Sequence, residues 1–227
     1  MFIFLDTETT SDAKKDRLCQ LAYKTEKGEI VNELFKPPLP IAIDAMCVHH
    51  ITNEMVENKP AFKDSPYHQK LVDLLNSDEN ILVAHNAKFD VDMLEKEGIK
   101  PKRIICTLKL ARHLDPKGVI PRYSLQYLRY FLGIKIEATA HDALGDILVL
   151  EKLFERLFAK MSKDIGPGAV ENRMMDISSK PILLTRMYFG KYKGEFFKDI
   201  PQDYLKWLSG TDDLDEDMRF TVRHYLK

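Results

Sequence analysis

The sequence predicts an α/β fold: a mixed β-sheet flanked by helices, with a small C-terminal α+β module. Three observations carry this. Strand-like runs cluster at the start and then strands and helices alternate, an order that builds a mixed sheet. A long apolar stripe from near His141 to Met161 marks a helix that must lie against that sheet. The pattern lapses after Lys163 and a compact unit resumes at Pro181, dividing the chain into residues 1–163, a linker over 164–180 and a module over 181–227.

The elements follow in order. FIFL is wholly apolar and runs into DTET, as a buried strand does where it leaves the core. LCQLAYKT and EIVNELFKP, separated by EKG, predict two further strands joined by a tight turn, and Pro37, Pro38 and Pro40 end the third. Thr52 and Ser65 mark helix starts, with Pro66 at the first helical position of the second. ILVA is a short buried strand, followed by a helix from about Phe89 to Glu97 that closes near Gly98. IIC is another brief strand before TLKLARHL, and Ser124 opens SLQYLRYFLG, which Gly133 stops. In the last helix of the main unit, Leu144, Ile147, Leu150, Leu153, Phe154, Leu157, Phe158 and Met161 form one apolar face. The stretch DIGPGAVENRMMDISSK carries turn formers without sustained period and is expected to be a linker. LLTRMYFGKYKGEFFKDI predicts a hairpin-like stretch, and YLKWL and DEDMRFTVRHYL two short helices, with Trp207 in the core.

Composition narrows the function classes. With 227 residues the chain can hold one sizeable core plus an appendage, and 44% hydrophobic with 30% charged residues is the balance of a soluble globular protein. A formal net charge of −1 excludes a polycation that coats nucleic acid, but permits a local basic groove beside an acidic metal site. No apolar run approaches the ~20 residues of a membrane span, so no membrane partner is expected. The first residues lack the basic start and apolar centre of an export signal, and a cytoplasmic protein is expected. Cys19, Cys47 and Cys106 have neither zinc nor disulfide spacing and are expected to be reduced and buried.

The chemistry lies in carboxylates gathered from distant segments. Asp6 and Glu8 are two apart on a strand, so both side chains leave one face about 7 Å apart and can converge on a hard cation. AHNAKFD repeats the arrangement: an apolar strand delivers Asp90 at the start of a helix. In AHDALGD, His141 and Asp146 lie about 140° apart around a regular helix, so they share a site only if His141 sits at or before the first turn. Asp142, four residues from Asp146, is a rival ligand on spacing alone. Oxygen ligands from several elements suit magnesium or manganese. Two such ions about 4 Å apart support in-line displacement at phosphorus, one activating water and the other stabilising the leaving oxygen. A neighbouring His, with an ordinary pKa of about 6.5, serves as general base near neutrality.

Asp6-Thr7-Glu8-Thr9, then His85-Asn86-x-x-Phe89-Asp90, then His141 separated by four residues from Asp146, resemble the three ordered motifs of the DEDDh exonucleases, whose fold is RNase H-like. The resemblance implies a 3′–5′ exonuclease that hydrolyses phosphodiester bonds and releases nucleoside 5′-monophosphates. It implies that Asp6, Glu8, Asp90 and Asp146 bind two Mg2+ ions, for which Mn2+ can substitute, that His141 activates water, and that Asp142 is a bystander. CVHHIT resembles the family segment that flanks the nucleotide pocket, and ICTLKLARHL resembles that after the central strand. Thr7, Thr9, His49, Asn86 and Phe89 are the substrate-binding candidates. Phe89 is read first as a core anchor that positions Asp90 and second as an apolar wall for a terminal base.

The expected partners are DNA 3′ ends, single-stranded or duplex, with RNA 3′ ends as a rival substrate; no protein partner is specified. The tail, with YFGKYKG, DYLKWL and RHYL, resembles the C-terminal portion of one branch of the family. Two other readings stand beside this one: a proofreading subunit held by a polymerase, and an inactive nucleic-acid-binding module. The chain departs from many relatives at Ser11, where they carry Gly, and in the polar loop DAKKDR. Lys14, Lys15 and Arg17, with Lys117 and Arg122 on another loop, form either a phosphate-holding rim or a solvated face.

Overall fold

The computed structural model describes residues 1–11, 15–136 and 143–226. Its core is a five-stranded sheet in the order β3-β2-β1-β4-β5. β1 (Phe2–Thr9), β2 (Leu18–Thr25) and β3 (Ile30–Leu34) form an antiparallel meander, as the turn residues between them require. The chain then passes through α1 (Ile43–His49), α2 (Asn53–Val56) and α3 (Pro66–Asn76) before returning as β4 (Ile81–Ala84), parallel to β1. α4 (Lys88–Lys96) leads to β5 (Ile104–Cys106), parallel to β4. α5 (Thr107–His113), α6 (Leu125–Phe131) and α7 (Ala143–Ile165) follow.

The pleat of β1 sorts its residues between two cores. Ile3 and Leu5 face one side and pack with Leu71 and Leu75 of α3 and Leu94 of α4. Phe2 and Phe4 face the other and pack on α7, with Phe154 at ring-centroid distances of 4.7 and 5.5 Å. The predicted stripe of α7 buries Ile147, Leu150, Leu153, Phe154, Leu157 and Met161. Each such side chain stabilises the fold by roughly 1.5–3 kcal/mol through burial alone, and truncation of Leu153, fully buried at the centre of the stripe, to Ala would cost about 2–5 kcal/mol.

The segment expected to be a linker is helical. α8 (Pro167–Ser178) starts with Pro167 at its first position, and Val170, Met174 and Ile177 of this helix enter the α7 core. The spacing of these residues is helical, but Gly166, Gly168 and the surrounding polar residues masked it. The Ser178 hydroxyl also accepts the Cys106 N–H at 2.8 Å, fastening α8 to the end of β5.

Residues beyond α8 have their own core, in which Leu184, Met187, Phe197 and Ile200 meet Leu205 and Leu208 of α9 (Gln202–Ser209) and Met218 and Val222 of α10 (Glu216–Tyr225). The hairpin-like stretch is present as an antiparallel bridge between Arg186 and Phe196, flanked by the backbone hydrogen bonds of Met187 N–H to Glu195 at 2.9 Å, Gly194 N–H to Met187 at 2.8 Å and Phe197 N–H to Thr185 at 3.1 Å. Trp207 is 64% exposed, contrary to expectation: Leu205 and Leu208 already fill the inward face of α9. Cys47 is likewise exposed, while Cys19 and Cys106 are buried as expected. No described helix is long and apolar enough to cross a membrane.

Candidate active site

β1 and β4 run parallel, so their C-terminal ends open on the same edge of the sheet. Pairing between them stops at Phe4 and Val83, whereas β1 continues to Thr9. On the α7 side of β1, the row Phe2, Phe4, Asp6, Glu8 therefore changes from apolar to acidic where β4 has ended. A register shift between Glu8 and Thr9 marks the same point, as bulges do beside functional sites. Asp146, in the first turn of α7, stands close enough that its charge acts on both Asp6 and Glu8.

Asp90 arrives from the other side. After β4, Asn86 takes a left-handed conformation with φ 63°, one that Asn tolerates better than most residues. The turn admits the chain to α4 and buries Asp90 in its first turn. Thr7, left without a β4 partner, gives both its backbone N–H and its hydroxyl to Oδ1 of Asp90, at 3.0 and 2.9 Å.

The electrostatics follow from four acids placed together at the edge of a core. Burial first, and then the charges of Asp90, Glu8 and Asp146, hold the Asp6 carboxyl well above the usual range. Burial and Asp146 push Glu8 up to about 7. Asp90 is pushed up to about 7 by burial, against the opposing effect of the Thr7 hydrogen bonds. Asp146 accepts a hydrogen bond from the side-chain amide of Gln126 on α6. Among the described residues no three His, Cys, Asp or Glu side chains stand in an arrangement that could hold a metal ion as they are placed. The donor chemistry nonetheless suits a hard divalent cation, because it is all oxygen and its charges repel one another until something positive enters.

The remaining candidates divide. His49 is buried, with Nδ1 accepting the Ile51 N–H at 3.0 Å and Nε2 donating to the Thr9 carbonyl at 3.1 Å. Its ring thus braces the end of β1, and burial lowers its pKa, keeping it neutral. The Thr9 side chain is buried and donates to the Ser11 carbonyl at 2.7 Å, so it shapes the loop after β1. Asn86 is exposed. Phe89 is not a core anchor: it is 37% exposed, because Met93 and Leu94 fill the inward face of α4. His141, its rival Asp142 and Lys14 lie outside the described residues. Arg17 turns its guanidinium back onto the carbonyls of Lys15 and Asp16, at 3.3 and 2.9 Å.

Two contributors escaped sequence reasoning. Gln126 is one, since an amide two residues into a helix has no signature that points to a distant acid. The other is the supporting role of His85, whose Nε2 donates to the Tyr123 carbonyl at 2.7 Å and whose Nδ1 meets the Thr107 hydroxyl at 2.9 Å. Burial pushes its pKa down to about 4. A neutral ring donating through Nε2 ties the end of β4 to the loop before α6, the helix that carries Gln126.

An acid-lined edge at paired strand ends, on a mixed sheet backed by a long helix, is the setting of a nuclease, and comparison with known proteins agrees. Residues 3–154 match the exonuclease family of the RNase T type, and the chain belongs to that family. Within it, the chain is 34% identical over 211 residues to exodeoxyribonuclease 10 of Escherichia coli (strain K12), covering 88% of this chain and 87% of that protein. It is 32% identical over 178 residues to the DNA polymerase III subunit epsilon of Treponema pallidum (strain Nichols), covering 73% of this chain and 80% of that one. The solved structure of exonuclease X in complex with 5′ overhanging duplex DNA matches with a TM-score of 0.61 at 29% identity, over 78% of this chain and 99% of that one. Residues 179–212 match a second family, described as a putative quorum-sensing-regulated virulence factor.

Proposed function

We propose that this chain is a divalent-metal-dependent 3′–5′ exodeoxyribonuclease that removes nucleoside 5′-monophosphates from DNA 3′ ends. The observation that carries the reading is the convergence of acids from three elements at the end of β1: Asp6 and Glu8 on one face of the strand, Asp90 held by Thr7, and Asp146 in the first turn of α7, all near enough to act on Asp6. Asp6, Glu8, Asp90 and Asp146 would hold two Mg2+ ions, or Mn2+ in their place. When bound, these ions supply an activated water and stabilisation of the leaving oxygen. His141 takes the proton from the water. Thr7 orients Asp90, Gln126 orients Asp146, and His49 fixes Thr9 and the loop beyond it. Phe89, exposed beside Asn86, offers a face on which the terminal base can stack without sequence preference. Residues 1–163 are the catalytic domain in this reading, with α8 as part of its core and residues 181–227 as an attached module.

The choice of DNA rests on similarity to a protein named an exodeoxyribonuclease and to a structure containing duplex DNA. The test is release of mononucleotides from a 3′-labelled DNA strand with Mg2+, run beside matched single-stranded DNA, duplex DNA and RNA. The expected result is rapid release from DNA that EDTA abolishes. Preferential release from RNA, or release starting at the 5′ end, would overturn the proposal. Similarity to a polymerase III epsilon subunit favours a second reading, a proofreading subunit, and stable co-purification with a polymerase would be its mark.

A further inference from the structure

In the C-terminal module Tyr192 and Tyr204 rest on its core with one side, while Trp207 and several lysines stay outside it. On α9, Leu205 and Leu208 point inward, while Trp207 stays 64% exposed and Tyr204 half-buried beside it. The rings of Tyr204 and Trp207 lie 5.3 Å apart at 38°, and Tyr192 meets Tyr204 at 4.7 Å. The three rings thus form a connected row running from the FGKYKG turn onto the helix. Gly190 makes this contact possible: with φ +67° it passes the Tyr204 hydroxyl so closely that an added Cβ would stand 2.9 Å from it.

Lysines neighbour the row along the chain: Lys191 and Lys193 flank Tyr192, and Lys206 lies between Tyr204 and Trp207. Lys191 places its ammonium 5.2 Å from the centroid of the Tyr192 ring. Lys193 and Lys206 are exposed, and among the described residues none of these three lysines forms an ion pair. The acid of α9, Asp203, turns its carboxylate back onto the Tyr204 N–H at 2.9 Å. An exposed Trp between unpaired lysines gains nothing in folding, but it matches a strand that offers flat bases on one side and phosphates on the other.

The module is also fixed in place relative to the nuclease domain. Arg186 donates to the Gly118 carbonyl at 3.1 Å, and a Cβ at Gly118 would stand 2.8 Å from the Thr185 hydroxyl and 3.2 Å from the Phe196 ring. The loop that contains Gly118 continues to Tyr123, the partner of His85 at the end of β4. The module that carries the row is thus held by a hydrogen bond and close packing to the loop that also supplies Tyr123 to His85.

We infer that Tyr192, Tyr204 and Trp207, with Lys191, Lys193 and Lys206, form a second nucleic-acid contact that binds single-stranded DNA by base stacking and phosphate pairing. This rests on the reading of the chain as a nuclease acting on DNA, and gives its C-terminal module a role in holding substrate remote from the scissile bond.

Trp207 is the single tryptophan of the chain, so its fluorescence reports on this surface alone. The binding experiment uses the full chain in EDTA, titrated with oligothymidylate while fluorescence and the anisotropy of labelled DNA are both followed. Stacking predicts strong quenching that saturates together with the anisotropy and weakens at high salt. Trp207→Ala should weaken binding about tenfold, within the range expected for loss of one base–aromatic stack. The double variant Lys191→Glu, Lys193→Glu should weaken it while leaving circular dichroism unchanged. DNA binding with no change in Trp207 emission, or with unaltered affinity in both variants, would overturn the inference. So would a fluorescence change that follows protein concentration without DNA, which would make the surface a contact between copies.

Turnover of a dinucleotide with Mg2+ separates this inference from the nuclease reading. Both variants should retain it while losing rate on long strands at low substrate concentration. Absence of turnover in the unaltered chain would count against the nuclease assignment, while the EDTA titration would still decide whether the row binds DNA.

Discussion

Thr7 gives two hydrogen bonds to one oxygen of Asp90, from its backbone at 3.0 Å and its hydroxyl at 2.9 Å, across 83 residues of sequence. The contact explains why a small hydroxyl residue stands between Asp6 and Glu8 on the opposite face of β1. It fixes one carboxylate oxygen of Asp90 and leaves the other to the site. Thr7→Val keeps the shape and the N–H but removes the hydroxyl. Loss of such a partner behind a metal ligand typically costs about 10–100-fold in metal affinity or activity. Mg2+ titration and turnover should both show this loss, Thr7→Ser should restore most of it, and unaltered values in Thr7→Val would refute the role.

Removal of Asp6 or Asp146 should abolish hydrolysis without unfolding the chain. Both lie at the site edge, and no hydrophobic contact of the core depends on their carboxylates. Ala variants with normal circular dichroism and no mononucleotide release are the expected outcome; turnover at the parent rate would end the assignment.

The acids also make a signed prediction about pH. Glu8 titrates near 4.5 in a model chain and at about 7 in the fold, so between these values the folded state holds protons that the unfolded chain has released. Stability of the metal-free protein from this source is then greatest at low pH and falls as pH rises toward 7. Asp6 and Asp90 are raised as well and act in the same direction. Melting temperatures in EDTA, compared between the parent and Glu8→Gln, isolate the term: the difference should grow in favour of the variant from pH 5 to pH 8. Mg2+ should reduce it at pH 8. A pH-independent difference would contradict the charge clustering.

His141→Ala is expected to lose most of the hydrolytic rate while retaining metal affinity, since its proposed role is proton transfer and the proposed metal ligands are the four acids. Calorimetric Mg2+ titration beside single-turnover kinetics tests both halves, and a normal rate would remove His141 as general base.

The attachment of the module rests on Asp217. Its carboxylate is buried, accepts from Arg112 of α5 at 3.0 Å and from the Ile182 N–H at 2.9 Å, and lies 3.7 Å from Lys109. Asp217→Ala leaves Arg112 and the Ile182 N–H without this partner, and breaking a buried pair in this way costs about 3–5 kcal/mol. Asp217→Asn, which can still accept from Ile182, should cost less. Denaturant unfolding measures both; equal stability of all three proteins would show that the contact is dispensable.

Much of this was legible along the chain because local patterns and global folding agree. FIFL followed by DTET announces a buried strand ending in acids, and ILVA before HNAKFD announces another. The α7 stripe identifies its buried face by period alone. Where the reading failed, the deciding factor was competition for a limited interior. Val170, Met174 and Ile177 have helical spacing within a stretch rich in turn formers, and only a vacant place on the α7 core makes them a helix. Trp207 and Phe89 have the composition of core residues, yet Leu205 with Leu208, and Met93 with Leu94, had already filled the space beneath them.

By itself, the sequence determined the order of the strands and of most helices, α1 and α8 excepted, the acids that could hold a hard cation, and the family motifs that contain them. Only the tertiary structure decided which groups support those acids. Thr7 reaches Asp90 because β4 ends before β1 does. Gln126 reaches Asp146 because α6 packs on α7, and Tyr123 receives His85 because a loop crosses the end of β4. These partners are far apart along the chain, and hydrogen bonds between them depend on distances that sheet pairing and core packing set.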